Sequence, residues 1–100
     1  MLNLDVCENA NEVTVKLIGT LDANSANQFN ECLGGFSDSI NKVTFDFEKL
    51  RYVSSAGLRV ILSYQNKMDK DGGTLRIINV NDMIQEIFDD TGFSDFLVIE

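Results

Sequence analysis

Two adjacent serines, Ser54 and Ser55, followed by Ala56 and Gly57, stand at the head of a run with helical periodicity. Leu58, Ile61, Leu62 and Met68 fall on one side of that run, widened by Val60 and Tyr64, while Arg59, Ser63, Asn66, Lys67 and Lys70 recur as a polar stripe. The pattern predicts a helix that starts near Ser55. A helix start leaves backbone N–H groups without partners and carries the positive end of the helix dipole, so a serine hydroxyl there sits where a phosphate would be held well. The plainer reading of the same serine is an N-cap, a position for which serine is among the preferred residues.

A nucleophilic serine needs a base and an oxyanion hole, and the chain has no histidine and no GxSxG. Hydrolase chemistry therefore falls away, and no enzyme is expected. The missing histidines also remove most zinc sites, and Cys7 and Cys32 form no CxxC, so both cysteines read as small buried hydrophobes. GxxxxGK[ST] and GxGxxG are absent, so no cofactor is expected and a phosphate must come from a partner.

The run YVSSAGLRVIL, preceded by VTFDF, resembles the signature of the anti-sigma factor antagonist family, whose domain is shared with the cytoplasmic tails of sulfate transporters, the STAS domain. That signature reads aromatic or aliphatic, then Asp or Ser, then Ser, a small residue, Gly and Leu. Ser54 falls on the Asp-or-Ser position, Ser55 on the serine phosphorylated in family members, and Ala56, Gly57 and Leu58 on the small-Gly-Leu triplet. The likeness extends to GTLD at Gly19 to Asp22 and TGF at Thr91 to Phe93. Many members place Asp directly before the phosphorylated serine; with Ser54 there, this chain lacks a carboxylate beside the site. The resemblance implies a protein whose unphosphorylated form binds an anti-sigma factor that is also an ATP-binding serine kinase, so releasing a sigma factor. Phosphorylation at Ser55 would end that binding, and a metal-dependent serine phosphatase would reverse the mark. The alternative is a STAS subunit that is not phosphorylated and docks on a transporter ATPase. An autonomous phosphocarrier would need a phosphohistidine or a phosphocysteine, and neither cysteine falls at the loop edge described below.

The elements that must present Ser55 are read from periodicity. Leu2, Leu4 and Val6 alternate with Asn3, Asp5 and Cys7, and Val13, Val15 and Leu17 with Thr14, Lys16 and Ile18, around ENANE, a β-hairpin pattern. Ala26, Phe29, Leu33 and Phe36 repeat at helical spacing, with Ser25 and Gln28 as a capping box and Gly34 and Gly35 as a stop. Val43, Phe45 and Phe47 alternate as a strand. The serine-headed helix ends at Gly72 and Gly73, and Leu75 to Ile78 returns as a strand. Met83, Ile84, Ile87 and Phe88 form a third helical face after Asp82, closed by Gly92, and Phe96 to Ile99 is the last strand.

The order β-β-α-β-α-β-α-β predicts an α/β fold, a STAS-like open mixed and mostly parallel sheet with packed helices, and a right-handed βαβ crossover. Ligands and partners of such sheets meet the carboxyl edge of the strands. Asp22, the Ser54 and Ser55 pair, and Asn79 with Asn81 are expected in the loops there. Asp22 either orients the Ser55 hydroxyl or its docked partner, or tightens a turn. Arg59, one turn beyond Ser55, belongs to the solvated stripe or contacts a partner or the phosphate.

One domain over residues 1–100 is expected, long enough to bury a core. A formal charge of −8 speaks against nucleic acid or anionic membrane as a partner. With no signal-peptide pattern and no apolar run of spanning length, the expected location is the cytoplasm. Six of the eight basic residues lie between Lys49 and Arg76, whereas Asp82 to Glu100 holds six acids and no base, a split that reads as a solubilising face or an orienting field.

Overall fold

The computed structural model describes residues 1–37, 39–95 and 97–100. Along the chain come β1 (Leu2–Asn9), β2 (Glu12–Leu21), α1 (Ala23–Gly34), β3 (Lys42–Asp46), β4 (Leu50–Val53), α2 (Ser55–Asp71), β5 (Thr74–Ile78), α3 (Asp82–Thr91), a 3-10 turn (Phe93–Asp95) and β6 (Val98–Ile99). The sheet runs β1-β2-β3-β5-β6, with β4 paired to β2. Among the described residues only the β1–β2 hairpin is antiparallel; β2–β3, β2–β4, β3–β5 and β5–β6 are parallel. The expected mixed, mostly parallel sheet is thus present.

Alternation sorts each strand into two faces. Val13, Val15 and Leu17 of β2, Val43 and Phe45 of β3, and Leu75 and Ile77 of β5 are buried. All three helices meet that side. Phe29 of α1 packs edge-on to Phe45 at 5.1 Å between ring centroids, Tyr64 of α2 lies 5.9 Å from Phe45, and Phe88 of α3 lies 6.3 Å from Phe47. Each such side chain, fully buried, contributes roughly 1.5–3 kcal/mol. On the other face the register aligns Cys7, Thr14, Thr44 and Arg76 across four strands, and the Arg76 Nε donates to Thr44 Oγ1 at 2.9 Å.

The structure departs from the sequence reading in several places. β4 was not expected, because LRYV is short, contains an arginine and does not alternate; its outer residues are Leu50 and Val53, both buried. α1 begins at Ala23 rather than at Ser25. β2 runs on to Leu21, so Asp22 is the N-cap, and Ser25, buried at 6% exposure, takes the N3 place of the capping box. Gln28 instead donates to the Leu2 carbonyl at 3.1 Å. The α3 cap is Asn81 and not Asp82, which becomes the first-turn acid. Cys7 is exposed on β1 and Cys32 half-buried, so the burial expected of Cys7 does not hold; Cys7 lies on the face away from the helices. The last strand covers Val98–Ile99, with Phe96 outside the described residues.

Gly19 sits where three strands meet, opposite Leu2 on β1 and Leu50 on β4. Its φ of +107° is open to glycine, and a Cβ there would collide with the Met1 carbonyl. The β2–β4 register shifts between Gly19 and Thr20, so Arg51 is an extra residue at a bulge. Past the bulge Leu21 pairs with Val53, and the two chains leave the sheet side by side.

Candidate functional site: three helix starts at the carboxyl edge

The helices α1, α2 and α3 all begin where parallel strands end, and each is capped by a side chain from its incoming loop: Asp22, Ser54 and Asn81. The Ser54 N–H donates to the Leu21 carbonyl at 2.8 Å, which ties the start of α2 to the residue just before Asp22. Asn81 uses both ends of its amide. Its Oδ1 accepts from the Ile84 N–H at 2.9 Å, and its Nδ2 donates to the Leu50 carbonyl at 3.0 Å, linking the third loop to β4. Asn79, in the left-handed region at φ 59°, donates to Asp46 Oδ1 at 3.0 Å. The three loops expected at this edge are therefore joined.

The two serines have different jobs. Ser54, half-buried, accepts from the Gly57 N–H on its Oγ at 3.2 Å, and its carbonyl accepts from Leu58 at 2.9 Å. Ser54 is thus the cap, one residue earlier than the sequence placed it. Ser55 is the first helical residue and exposed, with no hydrogen bond to its hydroxyl among the described residues. Ala56 is half-buried, and Gly57 and Leu58 are buried. Gly57 needs to be glycine because an added Cβ would lie 2.6 Å from Leu21 Cγ and 3.1 Å from the Leu21 carbonyl oxygen. The GTLD and SAGL segments thus lock together through Leu21 and Gly57. Arg59, one turn on, is exposed on the helix surface, as are Ser63, Asn66, Lys67 and Lys70.

Asp22 is a helix cap whose Oδ1 accepts from the Asn24 N–H at 3.0 Å and the Ser25 N–H at 2.9 Å. The Ser25 hydroxyl, 3.0 Å from the same oxygen, accepts from the Asp22 N–H at 2.9 Å. These bonds, led by the Ser25 N–H and then its hydroxyl, hold the Asp22 carboxyl below its usual value of 3.8. No bond joins Asp22 to Ser55 among the described residues; what brings them together is the pairing of Leu21 with Val53. Each helix start contributes roughly half a positive charge. The edge thus combines three positive helix ends with a serine hydroxyl that is exposed and, among the described residues, unbonded.

The model for the STAS domain matches residues 3–100. The chain belongs to the STAS domain family. It is 29% identical over 98 residues to the "Anti-sigma-B factor antagonist" of Bacillus subtilis (strain 168), covering 98% of this chain and 90% of that protein. Its fold is similar to that of an anti-sigma factor antagonist from Mycobacterium paratuberculosis, with a TM-score of 0.87 at 17% identity over 99% of this chain and 85% of that one. It is also similar to the anti-sigma factor antagonist SpoIIAA, solved both unphosphorylated and phosphorylated. The TM-scores are 0.77 at 17% identity and 0.76 at 18% identity; each comparison covers 100% of this chain, and 87% and 91% of the respective SpoIIAA chains. Among the described residues no helix of this STAS domain is long and apolar enough to cross a membrane.

Sequence reasoning missed the tie made by Asn81 and the whole of β4. The first had a usable signal, since asparagine before an acid and a run with helical spacing marks a cap; the second had none.

The division of labour between the serines predicts opposite outcomes. Ser54→Ala should cost about 0.5–2 kcal/mol in urea denaturation, whereas Ser55→Ala should stay within about 0.5 kcal/mol of wild type. For Asp22 the folded state holds the proton less tightly than the unfolded chain. Its stabilising contribution is then complete well above the unfolded value of 3.8 and is lost as pH falls through the lowered value. Asp22→Asn, which can still cap, should be less stable than wild type at pH 6, with the gap in melting temperature closing as pH falls below that range.

Proposed function

We propose that this STAS domain, a regulator and not a catalyst, is an anti-sigma factor antagonist in a partner-switching system and acts in the cytoplasm. Unphosphorylated, it binds an anti-sigma factor that is also an ATP-binding serine kinase, which sets a sigma factor free. The kinase phosphorylates Ser55 and ends the binding; a metal-dependent serine phosphatase restores it. The observation that carries this reading is the contrast between the two serines. The Ser54 hydroxyl is occupied as the cap of α2, and the Ser55 hydroxyl beside it is exposed and, among the described residues, unbonded. A kinase can take Ser55 without undoing the helix start, whereas a phosphate on Ser54 would displace the bond to Gly57. The relationship to the Bacillus subtilis antagonist supports the choice of partner.

The switch is electrostatic. A phosphate adds about −1.5 to −2 charges with three acceptor oxygens, and the helix end can accommodate it. A docked partner without a cation opposite would bury that charge uncompensated, at a cost of several kcal/mol. A loss of about 2.8 kcal/mol is already hundredfold in affinity. The partner-binding segment in this reading comprises Asp22, Ser54, Ser55, Ala56, Gly57, Leu58 and Arg59: Ser55 and Arg59 are exposed on it, while Asp22, Ser54 and the buried Gly57 and Leu58 set the shape of the edge beneath.

Incubation with the cognate kinase and ATP should add one phosphate, mapped by intact-mass and peptide analysis to Ser55. Ser54→Ala should still be labelled and Ser55→Ala should not. Calorimetry should find the phosphoprotein bound about a hundredfold more weakly, and Ser55→Glu, with its single charge, weakened less. Labelling of Ser55→Ala on Ser54 would contradict the assignment. Wild-type protein that binds this kinase and takes no phosphate would favour a docking role without modification.

A further inference from the structure

A cavity of about 580 Å3 opens beside β4, lined by Ile18, Glu48, Lys49, Arg51, Asn81 and Met83 among others. Three observations make it more than a surface hollow. The bulge between Gly19 and Thr20 leaves Arg51 with no cross-strand partner, and bulges re-aim side chains next to functional sites. Met83, in the first turn of α3, is 56% exposed, a large apolar side chain left uncovered at the cavity wall, which half-buried Ile18 also lines. Lys49 and Arg51 form no ion pair with a carboxylate among the described residues, so within a chain of net charge −8 this cavity holds two cations against the single acid Glu48.

We propose that this groove is a second anchor for the anti-sigma factor, taking a segment of that partner that presents a carboxylate to Arg51 and Lys49 and an apolar side chain to Met83 and Ile18. The inference rests on the antagonist reading above and extends it to residues outside the serine signature. Distance allows both contacts in one interface. Ser55 follows Arg51 by four residues, so their Cα atoms are at most about 14 Å apart. An ordinary interface covers about 800 Å2 on each partner, a patch roughly 16 Å in radius. Charge complementarity selects the occupant: an acidic and apolar segment is drawn to these cations, whereas a second copy would bring a surface of the same net negative sign. The groove keeps its charge when Ser55 is modified, so it supplies affinity and orientation while the serine supplies the switch.

The test is calorimetry with the unphosphorylated full chain and its cognate anti-sigma factor, using Met83→Ala and Arg51→Glu, with Val98→Ala on β6 as a control; circular dichroism verifies that each variant is folded. Met83 and Arg51 are both exposed, so their replacement should leave thermal unfolding near wild type. Each groove variant should bind about tenfold more weakly or worse, and Val98→Ala within about twofold. Added salt should weaken wild type more than Arg51→Glu. Wild-type binding with unchanged affinity in both groove variants would overturn the groove and leave the Ser55 reading standing. No binding by wild type would overturn both.

Discussion

The Leu21 residue holds the site together. Its carbonyl accepts from the Ser54 N–H at 2.8 Å, its side chain fills the space that a Cβ on Gly57 would need, and its neighbour Asp22 caps α1. One residue thereby fixes the end of β2, the end of β4 and the starts of two helices. The side chain is fully buried, so the junction is anchored in the same core that the three phenylalanine contacts build. The placement of Ser55 follows from that anchoring: it is the first residue past a fixed point, at the start of the longest helix among the described residues.

In the proposed switch, the same junction lets a very acidic chain receive more negative charge at one spot. Three helix starts face the carboxyl edge, and their caps leave first-turn N–H groups available. The Asp22 charge is absorbed by donors of its own helix. Ser54, neutral, stands where many relatives in sequence pattern carry aspartate, so no cap carboxylate competes at α2. Basic residues Lys49, Arg51 and Arg59 flank the serine in the chain, and the concentration of bases between Lys49 and Arg76 seen in the sequence is in part this flank.

Much of this was legible from the residues. Strand alternation in Val13 to Leu17 and in Val43 to Phe47, and the helical stripe after Ser55, are strong because each element has one buried face, and burial imposes its period on the sequence. Parallel topology put the Asp22 and Ser55 loops on one edge, but the pairing that joins them, Leu21 with Val53, belongs to the unexpected β4. What could not be read was decided by tertiary contacts. β4 exists because Leu50 and Val53 dock on the end of β2, and its bulge breaks the alternation that would have advertised it. Cap positions slipped by one to three residues because Asp22, Ser54 and Asn81 compete locally with Ser25, Ser55 and Asp82, all good capping types. Strand length and burial settle that competition. Arg51 stood in no recognisable pattern, and Met83, read from the sequence as part of the α3 apolar face, is 56% exposed; the bulge and the α3 start bring the two to one cavity.

The central claim is that a phosphate on Ser55 changes the charge of this edge and not the fold beneath it. Amide 15N–1H spectra of the chain before and after stoichiometric phosphorylation test it most directly. The account predicts shifts confined to the first turn of α2 and the adjoining Asp22 to Ser25 loop, with the amides of Val15, Phe45 and Ile77 unmoved. Shifts spread through β3 and β5, or a loss of dispersion across the spectrum, would mean that the switch works by refolding and would contradict the account.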